Sequence, residues 1–269
     1  MPAREDDLAD LGLLIAAARE AGAVLMRHHG TGVKVWNKGG TPVTEADHAS
    51  NALLLERLRG ARPDYGWLSE ETADDSSRLS ARRVFVVDPL DGTVSFIKNK
   101  DDFTVSLAVV ADGAPVAGAV FNPSRDEMFA GVLGGGATLN GAAIACSAAT
   151  GIEGCRMVAP RGLIAHPAWP APWPEMEILK IGSIAYRLAL VASGRADATL
   201  ALTTKSDWDI AGGEIIAREA GALVTTHDGQ AFRYNRPTTH QASLLAAGKN
   251  LYPALSARVG AVKLPPRQA

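Results

Sequence analysis

The sequence predicts an α+β protein in which helices layer onto sheet, and three features carry that expectation. Strand-like runs crowd into the middle of the chain, helical patterns lie on either side, and the two do not alternate strictly as a pure parallel Rossmann arrangement requires. With no internal repeat and no low-complexity linker, residues 1–269 read as one unit, with approximate subdomains at 1–145 and 146–269.

The first helix is expected over residues 8–29, where Leu8, Leu11, Ile15, Ala18, Gly22, Leu25 and Met26 share one face and Gly30 follows as a stop signal. A second runs from about Thr44 to Arg59, with Leu53, Leu54 and Leu58 on its apolar side and Gly60 beyond its end. From Arg83 the period shortens: "RRVFVVD" and "FTVSLAVVADG" are β-branched runs bounded by turns, and "APVAGAVFNP" and "DEMFAGVLGGGATLNG" continue the rhythm. "GSIAYRLALVASGRAD" reads as a helix capped by Ser183 and closed by Gly194, and the strand-like "ATLALT" follows. The last signal, "SDWDIAGGEIIAREAGALVTTHDG", gives a loop, a helix from about Asp209 to Ala220 and a strand. In "HPAWPAPWPEME", residues 166–177, prolines exclude regular structure, and the tryptophans either cover a cleft or pack a surface loop.

Composition narrows the function classes. A chain of 269 residues, 47% of them hydrophobic, with 27 basic and 29 acidic side chains, can bury a large core but offers no basic stripe for a nucleic acid polymer or an anionic membrane. Nothing approaches a membrane span, and the acidic opening "MPAREDDLAD" is unlike a secretory signal, so a cytoplasmic location is expected. Cys146 and Cys155 lack a CxxC spacing and read as reduced, structural thiols.

The chemistry concentrates in acids at element boundaries. In "VFVVDPLDGTVSFI" a buried strand ends on Asp88 and Asp91, and two such charges held about 4 Å apart repel by about 4 kcal/mol at an effective dielectric of about 20 unless a cation or proton intervenes. Glu70 and Glu71 follow the apolar Trp67 and Leu68, Asp47 sits three residues after Thr44, and Asp209 opens a helix after Trp208. Each has an ordinary explanation alone: Asp47 as part of a capping box, Asp209 as an N-cap, Glu70 and Glu71 as solvated surface acids, Asp88 and Asp91 as turn residues. Together they form an oxygen-only donor set from separate loops, which suits Mg²⁺ and a phosphoryl oxygen better than zinc. Gly92 and Thr93 then offer backbone amides for a phosphate, and Thr93 with Asp47 a means of holding the proton of an attacking water.

"PVTEAD", "SEE", "DPLDGT" and "WDIAGGEIIAREAG", in this order, resemble the inositol monophosphatase superfamily, which includes 3'(2'),5'-bisphosphate nucleotidases and fructose bisphosphatases; the resemblance spans roughly residues 8–250. It implies a layered αβαβα fold and a Mg²⁺-dependent, lithium-sensitive phosphatase with two or three ions, a small phosphate ester as substrate and, as is common in the family, a homodimer. By position, Glu70, Asp88, Asp91, Asp209 and the Leu90 carbonyl would hold the metals, with Glu71 beside them. Asp47 and Thr93 would orient the water, and Gly92 and Thr93 would receive the phosphate. Ser183, Tyr186 and Lys205 are implied for the substrate side, although a helix cap, a packed aromatic and a surface lysine are equally ordinary readings of them. Inositol phosphatases carry a glutamate seven residues before the W-D aspartate, where this chain has Leu202. "DGTVSFI" and "KSDWD" look more like the bisphosphate nucleotidases, despite Val94 and Ser95 where those have Lys and Glu. The expected activity is therefore hydrolysis of adenosine 3',5'-bisphosphate to AMP and phosphate. An inositol-1-monophosphatase or other sugar phosphatase is the alternative, and a non-catalytic phosphate-binding protein is the competing class.

Overall fold

In a computed structural model, which describes residues 2–264, two sheets organise the chain. Helix α1 (Glu5–His28), a hairpin of β1 (Val35–Lys38) and β2 (Thr41–Thr44), and helix α2 (Glu45–Ala61) come first. The first sheet then collects β3 (Gly66–Ser69), β4 (Arg83–Asp91), β5 (Thr104–Ala111), β6 (Ala114–Asn122), β7 (Glu127–Val132), β8 (Gly136–Leu139) and β9 (Ala142–Ala143), paired in that order, with helix α3 (Thr93–Ile97) between β4 and β5. Its β3 and β4 run parallel, and every later neighbour is antiparallel.

The second half supplies β10 (Arg156–Val158), β11 (Glu177–Leu179), β12 (Ala198–Ala201), β13 (Lys205–Ser206), β14 (Ala222–Thr225), β15 (His240–Gln241) and β16 (Leu244–Gly248). Five of these pair in the order β11-β10-β12-β16-β14, while β13 and β15 form a separate short ladder. Among them run helices α4 (Arg161–Ile164), α5 (Ile184–Ala192), α6 (Asp207–Glu219) and α7 (Tyr252–Val259).

Side-chain alternation turns these elements into five layers. Successive residues of a strand face opposite sides, so Phe85 and Val87 of β4 pack with Leu14, Leu25 and Leu54 of α1 and α2. Val84 and Val86 point the other way, into a core shared with α5, α6 and one face of the second sheet. The second sheet divides likewise: Val158, Leu244 and Ala246 face that shared core, while Met157, Leu245 and Ala247 pack outward with Leu255 and Val259 of α7. Helices, sheet, helices, sheet and helices follow one another, the layered α+β arrangement expected from the sequence. The Pro/Trp segment lies on the outermost core, where Trp169 and Trp173 meet edge to face at 5.1 Å.

Two local features differ from the sequence reading. Helix α1 begins at Glu5, three residues earlier than its apolar stripe, because Glu5, Asp6 and Asp7 complement the positive helix start and Asp7 is buried against Arg83 at 2.6 Å. Helix α6 begins at Asp207, so Asp209 occupies its third position rather than its cap. In the same helix, Gly212 and Gly213 permit its central placement, since a Cβ on either would lie within 2.9 Å of Leu107 in the sheet or of Leu188 in α5.

Candidate active site

Asp88 and Asp91 are three residues apart, which on a regular strand would put them on opposite faces. The register of β4 against β5 slips by one residue between them, pairing Asp88 with Ser106 but Asp91 with Thr104. This bulge at Pro89 and Leu90 brings both carboxylates to the side facing α5 and α6, the usual effect of an extra residue in one strand. Proline suits the position because it donates nothing to a ladder. The Pro89 carbonyl accepts instead from Ser50 Oγ at 3.0 Å, and the Leu90 amide donates to Asp88 Oδ1 at 3.0 Å.

Neighbouring elements bring the other acids to the same cavity. Parallel pairing of Ser69 with Val87 sets Glu70 at the carboxyl end of β3 beside Asp88 at the end of β4. Asp209 arrives in the first turn of α6, where Oδ2 accepts from the Ser206 amide at 2.9 Å in a capping box. Glu70, Asp88, Asp91, Asp209 and Leu90 all line one cavity of about 450 Å³. Burial followed by the charge of Asp209 pushes Glu70 up to about 8, and burial followed by Asp91 pushes Asp209 up to about 7. Burial, then Glu70, holds Asp88 well above the usual carboxylate range. Asp91 is raised less freely: burial lifts it, while Ser183 Oγ at 2.7 Å and the Ala185 amide at 2.6 Å, both donating to Oδ2, favour its charged form.

The water-orienting pair expected from the sequence also comes together. Asp47 stands at the third position of α2, where Oδ2 accepts from the Thr44 amide at 2.8 Å and closes a capping box. Its other oxygen, Oδ1, lies 3.3 Å from Thr93 Oγ1, which is also 3.2 Å from the Leu90 carbonyl. The capping role and the proposed chemical role are thus divided between two oxygens of one side chain. Burial raises Asp47 to about 6 against the opposing effect of its Thr44 hydrogen bonds.

Gly92 turns the chain from β4 into α3 with φ of 100°, and a Cβ there would lie 2.9 Å from the Asp102 carbonyl oxygen. Gly92→Ala is expected to cost about 1–3 kcal/mol, or several degrees of Tm at roughly 2–4 °C per kcal/mol. Thermal unfolding followed by circular dichroism measures it; an unchanged Tm would show that the turn tolerates a side chain.

Other expected site residues take different places. Ser183 caps α5 and its hydroxyl donates to Asp91, so it holds a carboxylate rather than facing substrate. Tyr186 is buried and its hydroxyl donates to Glu127 at 2.6 Å, on the side of α5 that packs against the sheet, so the structure does not bring it to the cavity. Lys205 lies near Asp209 and Arg187, but its ammonium donates to Thr203 Oγ1 at 2.8 Å and the Thr204 carbonyl; burial lowers its pKa. Glu71 is not a solvated surface acid: its side chain is buried and paired with Lys38 at 3.0 Å, and Lys38 also donates to the Glu70 carbonyl. Sequence reasoning passed over Lys38 and the cavity-lining Arg187, because no spacing ties a hairpin lysine or a mid-helix arginine to distant acids.

Among the described residues, no three His, Cys, Asp or Glu side chains are already closed into a metal cage. The donor chemistry nevertheless fits a hard divalent cation: four carboxylates and a carbonyl line one cavity, and the acids there raise one another's pKa as uncompensated like charges do. Glu70, Asp88, Asp91, Asp209 and the Leu90 carbonyl are the groups that would hold Mg²⁺.

Fold and site together define a layered α+β phosphatase. The sequence model of the inositol monophosphatase family covers residues 9–263, and the chain belongs to that family. An inositol-1-monophosphatase of Mesorhizobium japonicum is 34% identical over 238 residues, covering 81% of this chain and 86% of that protein. Nus factor SuhB of Escherichia coli is 31% identical over 231 residues, covering 81% and 85%. The crystal structure of extragenic suppressor protein SuhB from Bartonella henselae superposes with a TM-score of 0.83 at 30% identity, over 95% of this chain and 100% of that one. The Thermotoga maritima IMPase superposes with a TM-score of 0.82 at 27% identity, over 93% and 96%. Members of the family are generally Mg²⁺-dependent, in keeping with the oxygen donors found here.

Proposed function

We propose that this chain is a Mg²⁺-dependent phosphomonoesterase that hydrolyses a small phosphate ester by direct attack of water, with adenosine 3',5'-bisphosphate preferred over inositol 1-phosphate. The observation that carries the reading is the convergence of Glu70, Asp88, Asp91 and Asp209 on one cavity, beside the Gly92–Thr93 turn. Mg²⁺ bound there supplies an acidified water and positive charge for the leaving oxygen. Thr93 and Asp47 hold a proton of the attacking water, and the Gly92 and Thr93 amides receive the phosphate oxygens. Asp91, anchored by Ser183 and Ala185, keeps its remaining oxygen toward the cavity.

The nucleotide preference rests on "DGTVSFI", "KSDWD" and Leu202, which packs with the outer core and supplies no carboxylate for inositol hydroxyls. The inositol reading is favoured by a specific observation of its own, the name of the Mesorhizobium relative. The balanced surface charge, 27 basic against 29 acidic residues, supports a small-molecule partner rather than a nucleic acid polymer. Among the described residues, no helix is long and apolar enough to cross a membrane. The proposal extends to inhibition by lithium, a cytoplasmic location, a homodimer, and one catalytic unit with subdomains 1–145 and 146–269.

Phosphate release measured on one preparation with and without Mg²⁺ tests the activity, and kcat/KM for adenosine 3',5'-bisphosphate against inositol 1-phosphate ranks the substrates. Release is expected only with the metal, with the nucleotide favoured about tenfold or more. Failure to release phosphate from any monoester would leave a non-catalytic binding protein.

A further inference from the structure

The catalytic cavity is lined by cations as well as by acids. The cations are Lys98, Lys100, Lys180 and Arg187. The three lysines are exposed, whereas Arg187 is half-buried in α5 and fixed, its Nε donating to the Ile181 carbonyl at 2.9 Å. Side chains of a helix lean toward its N-terminus, so Arg187 reaches back over the loop that leads into α5, at the edge of the cavity.

Arg187 also differs from three other arginines that are at least partly buried, each of which has a carboxylate partner. Arg83 pairs with Asp7 at 2.6 Å, and Arg156 and Arg195 pair with Asp197 and Glu127 at 2.7 Å. Among the described residues, no carboxylate lies at ion-pair distance from Arg187. The acids whose charge it feels are Asp91 and Asp102. Asp91 Oδ2 is engaged by Ser183 and Ala185, and Asp102 Oδ2 accepts from the Gly182 amide. Burial opposes the charge on Arg187, and its positive field in turn disfavours the charge on Lys205. A half-buried cation with no carboxylate at ion-pair distance is unfavourable on its own, and an arriving anion offsets that cost. A guanidinium is suited to such an anion because it presents several donors in a fixed plane.

The scissile phosphate is already provided for by the carboxylate cluster and the Gly92–Thr93 turn, so it does not account for a half-buried arginine without a carboxylate partner in the same cavity. We propose that Arg187 binds a second phosphate of the substrate and is the residue that makes this phosphatase prefer doubly phosphorylated esters. The inference rests on the phosphatase reading above, and it assigns the preference to a side chain outside the motifs that define the family.

The test uses two esters that differ only in the second phosphate, adenosine 3',5'-bisphosphate and adenosine 3'-monophosphate. For the full chain with saturating Mg²⁺, kcat/KM is expected to favour the bisphosphate tenfold or more. Arg187→Gln should reduce that ratio at least tenfold, chiefly through KM for the bisphosphate, and Arg187→Lys should retain part of it. In the wild type, KM for the bisphosphate should also rise more steeply with NaCl than KM for the monophosphate, a measurement that does not depend on any variant folding. A wild type without preference, an Arg187→Gln ratio equal to the wild-type ratio, or equal salt slopes for both esters would each overturn the assignment. If the wild type hydrolyses neither ester, the phosphatase reading fails, and calorimetric binding of the two nucleotides decides the second-phosphate site by the same tenfold criterion.

Discussion

Asp91→Asn is expected to lower kcat/KM by about a thousandfold or more, the effect of removing about 4 kcal/mol of electrostatic stabilisation from a transition state, while leaving the fold intact. The two halves of this expectation come from the two oxygens of the side chain. Oδ2 accepts from Ser183 and the Ala185 amide, and an asparagine oxygen can accept the same two bonds, so the start of α5 stays tied to the end of β4. What the substitution removes is the negative charge, and an amide presented to the cavity is a poor ligand for a hard cation. The metal-free variant should melt no lower than the wild type, because one of several buried acids that raise one another's pKa has been neutralised. Phosphate release under saturating Mg²⁺, with circular dichroism melting of the same preparation, measures both. Turnover within a few-fold of wild type in a folded variant would remove Asp91 from the metal site.

Such a variant can be designed from sequence because the site is written in local signals. Asp88, Asp91, Gly92 and Thr93 lie within six consecutive residues that end a strand and begin a helix, and Asp47 and Asp209 each follow a hydroxyl residue by three positions, the spacing of a capping box. For Asp209 the sequence reading takes the aspartate itself as the cap, whereas Ser206 is the cap and Asp209 the third helical residue. The bulge that brings Asp88 and Asp91 to one face depends on pairing with β5, and the meeting of Glu70 with Asp88 depends on β3 running parallel to β4; neither is a property of a short window. Ser183, Tyr186 and Arg187 illustrate the same limit on a single helix. Their spacing fixes that they lie in one turn, but the position of that helix between two sheets decides that Ser183 meets Asp91, Tyr186 meets Glu127 and Arg187 meets the cavity.

Magnesium is expected to stabilise the protein more at pH 8 than at pH 5, and the sign follows from the direction of the acid shifts. Glu70 rises from 4.5 to about 8 and Asp209 from 3.8 to about 7, while Asp88 rises well above 3.8. A folded state with raised carboxyl pKa values holds protons that the unfolded chain releases, so the stability linked to these groups is present below about pH 4 and lost as pH rises through 7 to 8. Without metal, Tm should therefore fall between pH 5 and pH 8. Asp207 and Glu214, buried acids raised to about 6 and about 7, add to that fall without lining the cavity, so the metal-free curve alone does not isolate the site. The difference made by Mg²⁺ does, because the ion competes with protons for the same oxygens and gains as they leave. Each pKa unit corresponds to about 1.4 kcal/mol, and about 1 kcal/mol moves Tm by roughly 2–4 °C in a chain near this size. The Mg²⁺-induced rise in Tm at pH 8 is thus expected to exceed that at pH 5 by about 5 °C or more, and Glu70→Gln should flatten the difference. A rise of equal size at both pH values would mean that the ion binds away from these acids, and the repulsion among them would then need another source of relief.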